Sequence, residues 1–235
     1  MEPRNFLFRN GVLKVGGIAG ILFIAEMAIF IYVSSLSISN PAILSQVRQE
    51  QSRAAAESLL ASTFSIFSNN FRIASVEFIP ILGQAFFFYT IYSTAVVFSV
   101  EGPSLNASGL AIFLSLLLFT YSWLELPSYA IASSTGVYII YMLAAGKGVV
   151  KNRLKKVVSL YLFVGLELLV AAFFESLTIE FGNSGSNGLL LIFLLWLPGV
   201  PVIIFLIKLF RRICYHDNGK TEPPAEVSGH GWNSL

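Results

Sequence analysis

The sequence predicts an all-α polytopic transmembrane bundle of about six spans, and three observations carry that expectation. Of 235 residues 55% are hydrophobic and only 12% charged, with a mean hydropathy of +0.74. A soluble domain spends about a quarter of its residues on charge, so too little polar material is present here to coat a water-facing body. Windows of roughly twenty apolar residues follow one another, each long enough for a helix to cross a bilayer. The basic residues are also segregated. Arg4, Arg9 and Lys14 precede the first window, Lys147, Lys151, Arg153, Lys155 and Lys156 share one connection, and Lys208, Arg211, Arg212 and Lys220 follow the last.

The windows are Val15 to Ile38, about Phe71 to Val100, Leu110 to Leu126, Ser128 to Gly146, Val157 to Phe174, and Leu189 to Leu209. The first is longer than the apolar core of a signal peptide and lacks a small-residue cleavage site, so it reads as a retained span. Six crossings place all the basic clusters on one side and leave Arg48, Arg53 and Arg72 on the other. By the positive-inside bias both termini are cytoplasmic and the protein sits in the cell membrane. Residues 1–14 form a basic cytoplasmic N-terminus, 15–212 the membrane domain, and 213–235, polar with several Gly and Pro residues, a disordered cytoplasmic tail. Net charge is +2 and the single Cys214 has no partner for a disulfide within the chain.

Between the first two windows the composition changes. Pro41 suits a helix start, and Ala56, Leu60, Phe64 and Phe67 recur at three to four residue spacing beside polar Arg48, Glu50, Arg53 and Glu57. The segment 42–67 therefore reads as an amphipathic outer helix, lying on the membrane or extending the second span. The basic connection 147–156 is topological in the first instance. It also suits a cytoplasmic protein or anionic lipid head groups.

Two polar interruptions carry the functional question. In SWLELPS, Glu125 and Pro127 divide an apolar run twice as long as one crossing needs. Pro127 lacks an N–H and biases Leu126 away from helix, so a tight outer hairpin between two short spans is expected there. Broken backbone at that depth needs protein or a wet cavity around it. Glu125 would then accept hydrogen bonds from the N–H groups at the start of the next helix, the alternative being a proton-linked or substrate-binding carboxylate. In NNFRIASVEFIPILGQ, Asn69, Asn70 and Arg72 form a polar threshold before Glu77, Pro80, Gly83 and Gln84. Segment 71–100 is longer than a straight crossing, and reads as a kinked span or a re-entrant piece followed by a helix. Glu26 and Glu167 lie well inside their windows and should face the bundle interior, protonated or paired.

These two interruptions resemble the stage II sporulation protein M family of bacterial and archaeal membrane proteins. Onto the family's Asn-containing start of a Gly-rich segment fall Asn69, Asn70 and Gly83. Onto its His-Gly-x-x-Glu-x-Pro-like element fall Glu125 and Pro127, followed by Ala130, Ala132 and Gly136, with Tyr121 and Ser122 in place of the His-Gly pair. The resemblance spans roughly Phe64 to Leu206. It implies a non-enzymatic membrane subunit that acts as the scaffold of a complex, and, through the family's suggested similarity to export systems, keeps a permease role open.

Function classes narrow accordingly. No His-Glu-x-x-His run is present and no apolar window contains a histidine, so no catalytic, cofactor or metal site is expected. Nucleic-acid binding lacks a folded basic domain with interleaved aromatics. The expected partners are membrane lipids and either further copies of the chain or another membrane or cytoplasmic protein. The expected role is a subunit or scaffold of a membrane complex; the alternative is a permease subunit or secondary transporter with a substrate or proton site near Glu125 and Pro127.

Overall fold

The computed structural model describes residues 7–9, 12–183 and 187–215; most of the basic N-terminus and the tail beyond Tyr215 lie outside the described residues. A two-residue antiparallel pairing, β1 (Phe8–Arg9) with β2 (Val12–Leu13), leads into helix. The described helices are α1 (Val15–Ser34), α2 (Pro41–Ala56), α3 (Leu59–Glu77), α4 (Leu82–Ser104), α5 (Gly109–Leu116), α6 (Ser122–Ala145), α7 (Lys147–Gly182), α8 (Gly188–Leu194) and α9 (Trp196–Tyr215). The all-α bundle expected from sequence is what the chain forms.

Five stretches are long and apolar enough to cross a membrane: Val15–Ser34, Leu82–Ser104, Ser122–Ala145, Arg153–Gly182 and Gly188–Cys214. The distribution of side chains agrees. Large apolar residues point outward, among them Ile24 (69% exposed), Leu162 (65%) and Leu197 (72%), while Glu26, Asn70, Glu77, Ser128, Thr135, Glu167 and Ser176 are buried. That inversion suits a bundle whose surroundings are hydrocarbon.

Side-chain contacts fix the helix directions. Ser62 of α3 bonds Ser176 of α7 at 3.2 Å and Ser75 approaches Tyr161 at 3.0 Å, so α3 and α7 run antiparallel side by side. Ser128 with Glu167 and Tyr138 with Arg153 set α6 antiparallel to α7 in the same way. At one end Lys156 Nζ donates to the Cys214 carbonyl at 3.1 Å, and Gly16 lies against the Phe210 ring. At the other, Ser99 Oγ donates to the Val33 carbonyl at 2.6 Å and Gly109 abuts Ser34 and Phe98. The chain thus runs back and forth along the bundle through α1, α3, α4, α5 with α6, α7, and α8 with α9, and α3 and α4 meet inside it, against α6.

The passes are not the six expected. Leu110 to Leu126 and Ser128 to Gly146 are not two spans with a hairpin at Glu125 and Pro127. They make one pass, broken at Leu117 to Tyr121, and Glu125 and Pro127 lie in the first turns of α6. Pro127 is tolerable so near a helix start because only the Trp123 carbonyl loses an intrahelical donor. The break occurs earlier because side chains satisfy it there: Ser122 Oγ donates to the Leu116 carbonyl (2.7 Å), Trp123 Nε1 to Leu117 (2.8 Å) and Trp196 Nε1 to Leu118 (2.8 Å).

The helix not expected as a separate element is α3, which is not among the five stretches long and apolar enough to cross a membrane. The outer segment 42–67 is divided at Glu57 and Ser58, so only α2 is the outer helix, capped by Asn40 through the N–H groups of Ala42 and Ile43 and tied to α4 by Gln51 and Glu101 at 2.8 Å. Leu60 and Phe64 belong to α3 and are exposed on its outward side. Segment 71–100 is not one kinked span: the chain reverses at Phe78 to Ile81, between α3 and α4, at a turn packed against α6. The basic connection 147–156 is helical, forming the start of α7 after Gly146, whose φ of +99° lets α6 stop and α7 begin across one residue.

The α3–α4 turn packs against the middle of α6. A Cβ on Gly136 would lie 2.4 Å from Gln84 Nε2 and 2.9 Å from the Glu77 carbonyl oxygen, so only glycine permits this approach. Gly136→Ala should destabilise the protein by about 1–3 kcal/mol through overpacking. The midpoint of thermal unfolding in detergent reads this, and a variant as stable as the parent would contradict the packing.

Candidate functional site: a buried carboxyl cluster

Acids from four helices converge inside the bundle. Glu26 comes from the middle of α1, Glu77 closes α3, Glu125 lies in the first turn of α6, and Glu167 and Glu175 come from α7. Glu26 is within electrostatic range of Glu77 and Glu125, and Glu175 of Glu125.

Their partners differ. Glu125 Oε1 accepts from Asn70 Nδ2 at 3.0 Å and from Tyr129 OH at 2.9 Å. Glu167 Oε2 accepts from Ser128 Oγ at 2.8 Å, a hydroxyl that also reaches the Leu124 carbonyl. Glu77 Oε1 has only Thr90 Oγ1, at 3.3 Å, and its Oε2 has no hydrogen-bond partner. Neither carboxyl oxygen of Glu26 has one. These two groups are 0% and 1% exposed. Where partners exist they are hydroxyl, phenol and amide groups, none of them a cation.

The local backbone explains how α3 presents Glu77. Pro80 to Leu82 forms a γ-turn of the rarer, strained hand: Ile81 has φ 68° and ψ −59°, and Leu82 N donates to the Pro80 carbonyl at 2.8 Å. Gln84 holds the turn by accepting from Ile81 N at 2.7 Å and donating to the Ser133 carbonyl at 3.1 Å. On α6 the residues Glu125, Tyr129, Ser133 and Gly136 follow at helical spacing on one face, so the acid, the phenol, a buried hydroxyl and the glycine contact form a continuous strip. Ser133 Oγ is also without a partner.

Of the residues singled out from sequence, Asn70 and Glu125 meet directly and Glu77 and Glu167 belong to the same interior. Pro127 shapes α6 but makes no polar contact. Arg72 is not paired with Glu77; it is exposed, and its Nη2 donates to Asn69 Oδ1 at 3.1 Å on the outward side of α3. Glu125 does not cap free N–H groups, since its bonds are to side chains. Glu26 was expected only to face inward, and Tyr129 and Ser133 carried no signal in the sequence beyond their spacing from Glu125. Among the described residues no group of three or more His, Cys, Asp or Glu side chains is arranged to hold a metal ion.

The chain matches no family model, no curated protein and no solved structure. Function therefore rests on the site itself.

Replacing Glu125 separates its contacts. Glu125→Gln keeps an oxygen acceptor and should cost about 1 kcal/mol, whereas Glu125→Leu leaves Asn70 and Tyr129 with unpaired buried donors and should cost about 1–3 kcal/mol. Thermal unfolding of the two solubilised variants distinguishes them. Equal stability of both with the parent would remove the structural role of the acid.

Proposed function

We propose that this chain is a non-enzymatic polytopic membrane protein of the permease or secondary-transporter class, with its substrate or coupling ion handled at the central carboxyl cluster. The observation that carries this reading is Glu26, buried in α1 with both oxygens unpartnered and facing further acids from α3 and α6. A carboxyl group in a membrane interior is costly, and a stabilising arrangement would give it donors. Glu77 closes α3 at the α3–α4 turn and Glu125 lies in the first turn after the break between α5 and α6, which supports the same reading, because transporters place sites where helices are interrupted.

The cell membrane is the proposed location, with the basic end of the bundle cytoplasmic. Arg153, Lys155 and Lys156 gather there with the ends of α1 and α9, as the positive-inside bias requires. The far end, bearing α2, would then face outward.

Protein reconstituted into liposomes with a trapped pH-sensitive dye should show cation-linked flux that empty liposomes lack. Glu26→Gln should abolish it, and Glu101→Gln, altering an acid outside the cluster, should leave it intact. Flux no greater than in empty liposomes would defeat the transport reading.

A second reading, a subunit or scaffold of a membrane complex, is favoured by the outward side of α3. Ser65, Ser68, Asn69 and Arg72 are exposed there, on a helix that packs along α7. An exposed arginine charge on a helix in apolar surroundings is unfavourable even with one amide partner such as Asn69, so another chain or another copy would cover it. The resemblance to the sporulation protein M family supports the same role. A photo-crosslinker at Asn69, activated in membranes before extraction, should capture a protein adduct; lipid adducts alone would count against this reading.

A further inference from the structure

We propose that Glu26 and Glu77 form a binding site for a small monovalent cation, either a proton or an alkali-metal ion. As a statement of what the central site takes, this rests on the permease reading. Binding and flux can nevertheless be measured separately.

Among the described residues, the fully buried carboxyl oxygens without a hydrogen-bond partner belong to Glu26 and Glu77. Glu125 and Glu167 have amide, phenol and hydroxyl donors, whereas both oxygens of Glu26 and one of Glu77 have none. Two such carboxyl groups in electrostatic range of each other, fully buried and without a cationic side chain, lack a positive charge. Burial of unpaired acids is strongly unfavourable, and a bound cation removes the imbalance.

Charge and space restrict the ligand. A divalent metal site built from protein acids normally gathers several carboxyl groups, and no three of the described acids are arranged that way. The α3–α4 turn beside Glu77 is closely packed: a Cβ on Gly83 would lie 2.2 Å from the Glu77 carbonyl oxygen and one on Gly136 2.4 Å from Gln84 Nε2. The ligand proposed is accordingly an ion of atomic size. Ser133 Oγ, fully buried, unpartnered and one turn from Tyr129 on the face that meets the α3–α4 turn, offers a neutral oxygen beside the pair.

The groups that face the pair are known from each packed element. α6 brings Glu125 and Tyr129, and α4 brings Thr90, with Tyr89 and Tyr92 exposed away from the site. α5 carries no titratable residue. From α7, Glu175 is in range of Glu125 and Glu167 is engaged by Ser128. All the charged groups in this set are acids.

The test uses the purified full chain in detergent. Its Tm is measured in NaCl, LiCl and KCl, with choline chloride keeping ionic strength constant, and across a pH series. A ligand bound only by the folded state raises Tm with its concentration. The expected result is a Tm rise of several degrees with Na⁺ or Li⁺, which assigns an alkali-metal ion, or a pH dependence without an alkali-ion effect, which assigns the proton. Glu26→Gln and Glu77→Gln should lose that dependence and Glu101→Gln should keep it. Should the site variants fail to fold, the parent is treated with a hydrophobic carbodiimide and modification at Glu26 and Glu77 is read by mass spectrometry. Suppression by the ion or by raised pH supports the site. Identical ion and pH responses in parent and site variants, or labelling indifferent to both, overturns it. Binding without flux would keep the site and retire transport, while flux that survives Glu26→Gln with unchanged Tm responses would do the reverse.

Discussion

Inside an apolar layer no water is available to satisfy a polar group, so each interruption of a helix must be answered from within the chain. The rest of this structure depends on that constraint. At the break between α5 and α6 the carbonyls of Leu117 and Leu118 are met by the indoles of Trp123 and Trp196, and that of Leu116, which also accepts from Phe119 N, by the Ser122 hydroxyl. The α3–α4 turn is answered by Gln84, whose amide serves the turn with one end and α6 with the other. Against this background the oxygens of Glu26 and Glu77, with the hydroxyls of Thr120 and Ser133, stand out among the described residues as buried polar atoms without a hydrogen-bond partner.

Helix α6 lies at the centre because it can be approached closely. From Ala130 to Gly136 its residues are small or medium-sized and all buried, and α1, α3, α4 and α7 pack around it. Gly136 admits the α3–α4 turn almost to backbone contact. That closeness brings the end of α3, with Glu77, to the same interior as Glu26 and Glu125. The strain at Ile81, about 1–3 kcal/mol for a non-glycine residue at such a φ, is the cost of reversing the chain within four residues at that position.

Much of the fold could be read from composition. Apolar length identified α1, α7 and the last apolar stretch. Six spans were expected, and five stretches are long and apolar enough to cross a membrane. Helix α3 carries Asn69, Asn70, Arg72 and Glu77 and is not among them, although it packs along α7. The run from Leu110 to Gly146 looked like two spans because length alone does not show whether a long apolar run folds back at a proline or continues, and α6 continues through Pro127 to Ala145. Pro127 appeared to be the breaking point because proline is the strongest local signal, but the break follows the available donors. Asn70, Glu77, Glu125 and Glu167 were legible as polar residues in apolar surroundings. Their meeting was not, because it depends on a turn whose geometry no local pattern specifies.

The bond from Trp196 to the Leu118 carbonyl joins residues 78 positions apart. A membrane chain is made and inserted from its N-terminus, so the broken pass enters before the indole that completes it exists. Until α9 arrives, the Leu118 carbonyl must borrow a donor from lipid head groups, from trapped water or from the insertion machinery. Thr120, which comes to lie against Gly199, likewise has nothing to pack on. Helix α9 is therefore a late keystone: assembly of the earlier helices stays provisional, and their interrupted pass becomes a settled part of the bundle only once Trp196 is in place.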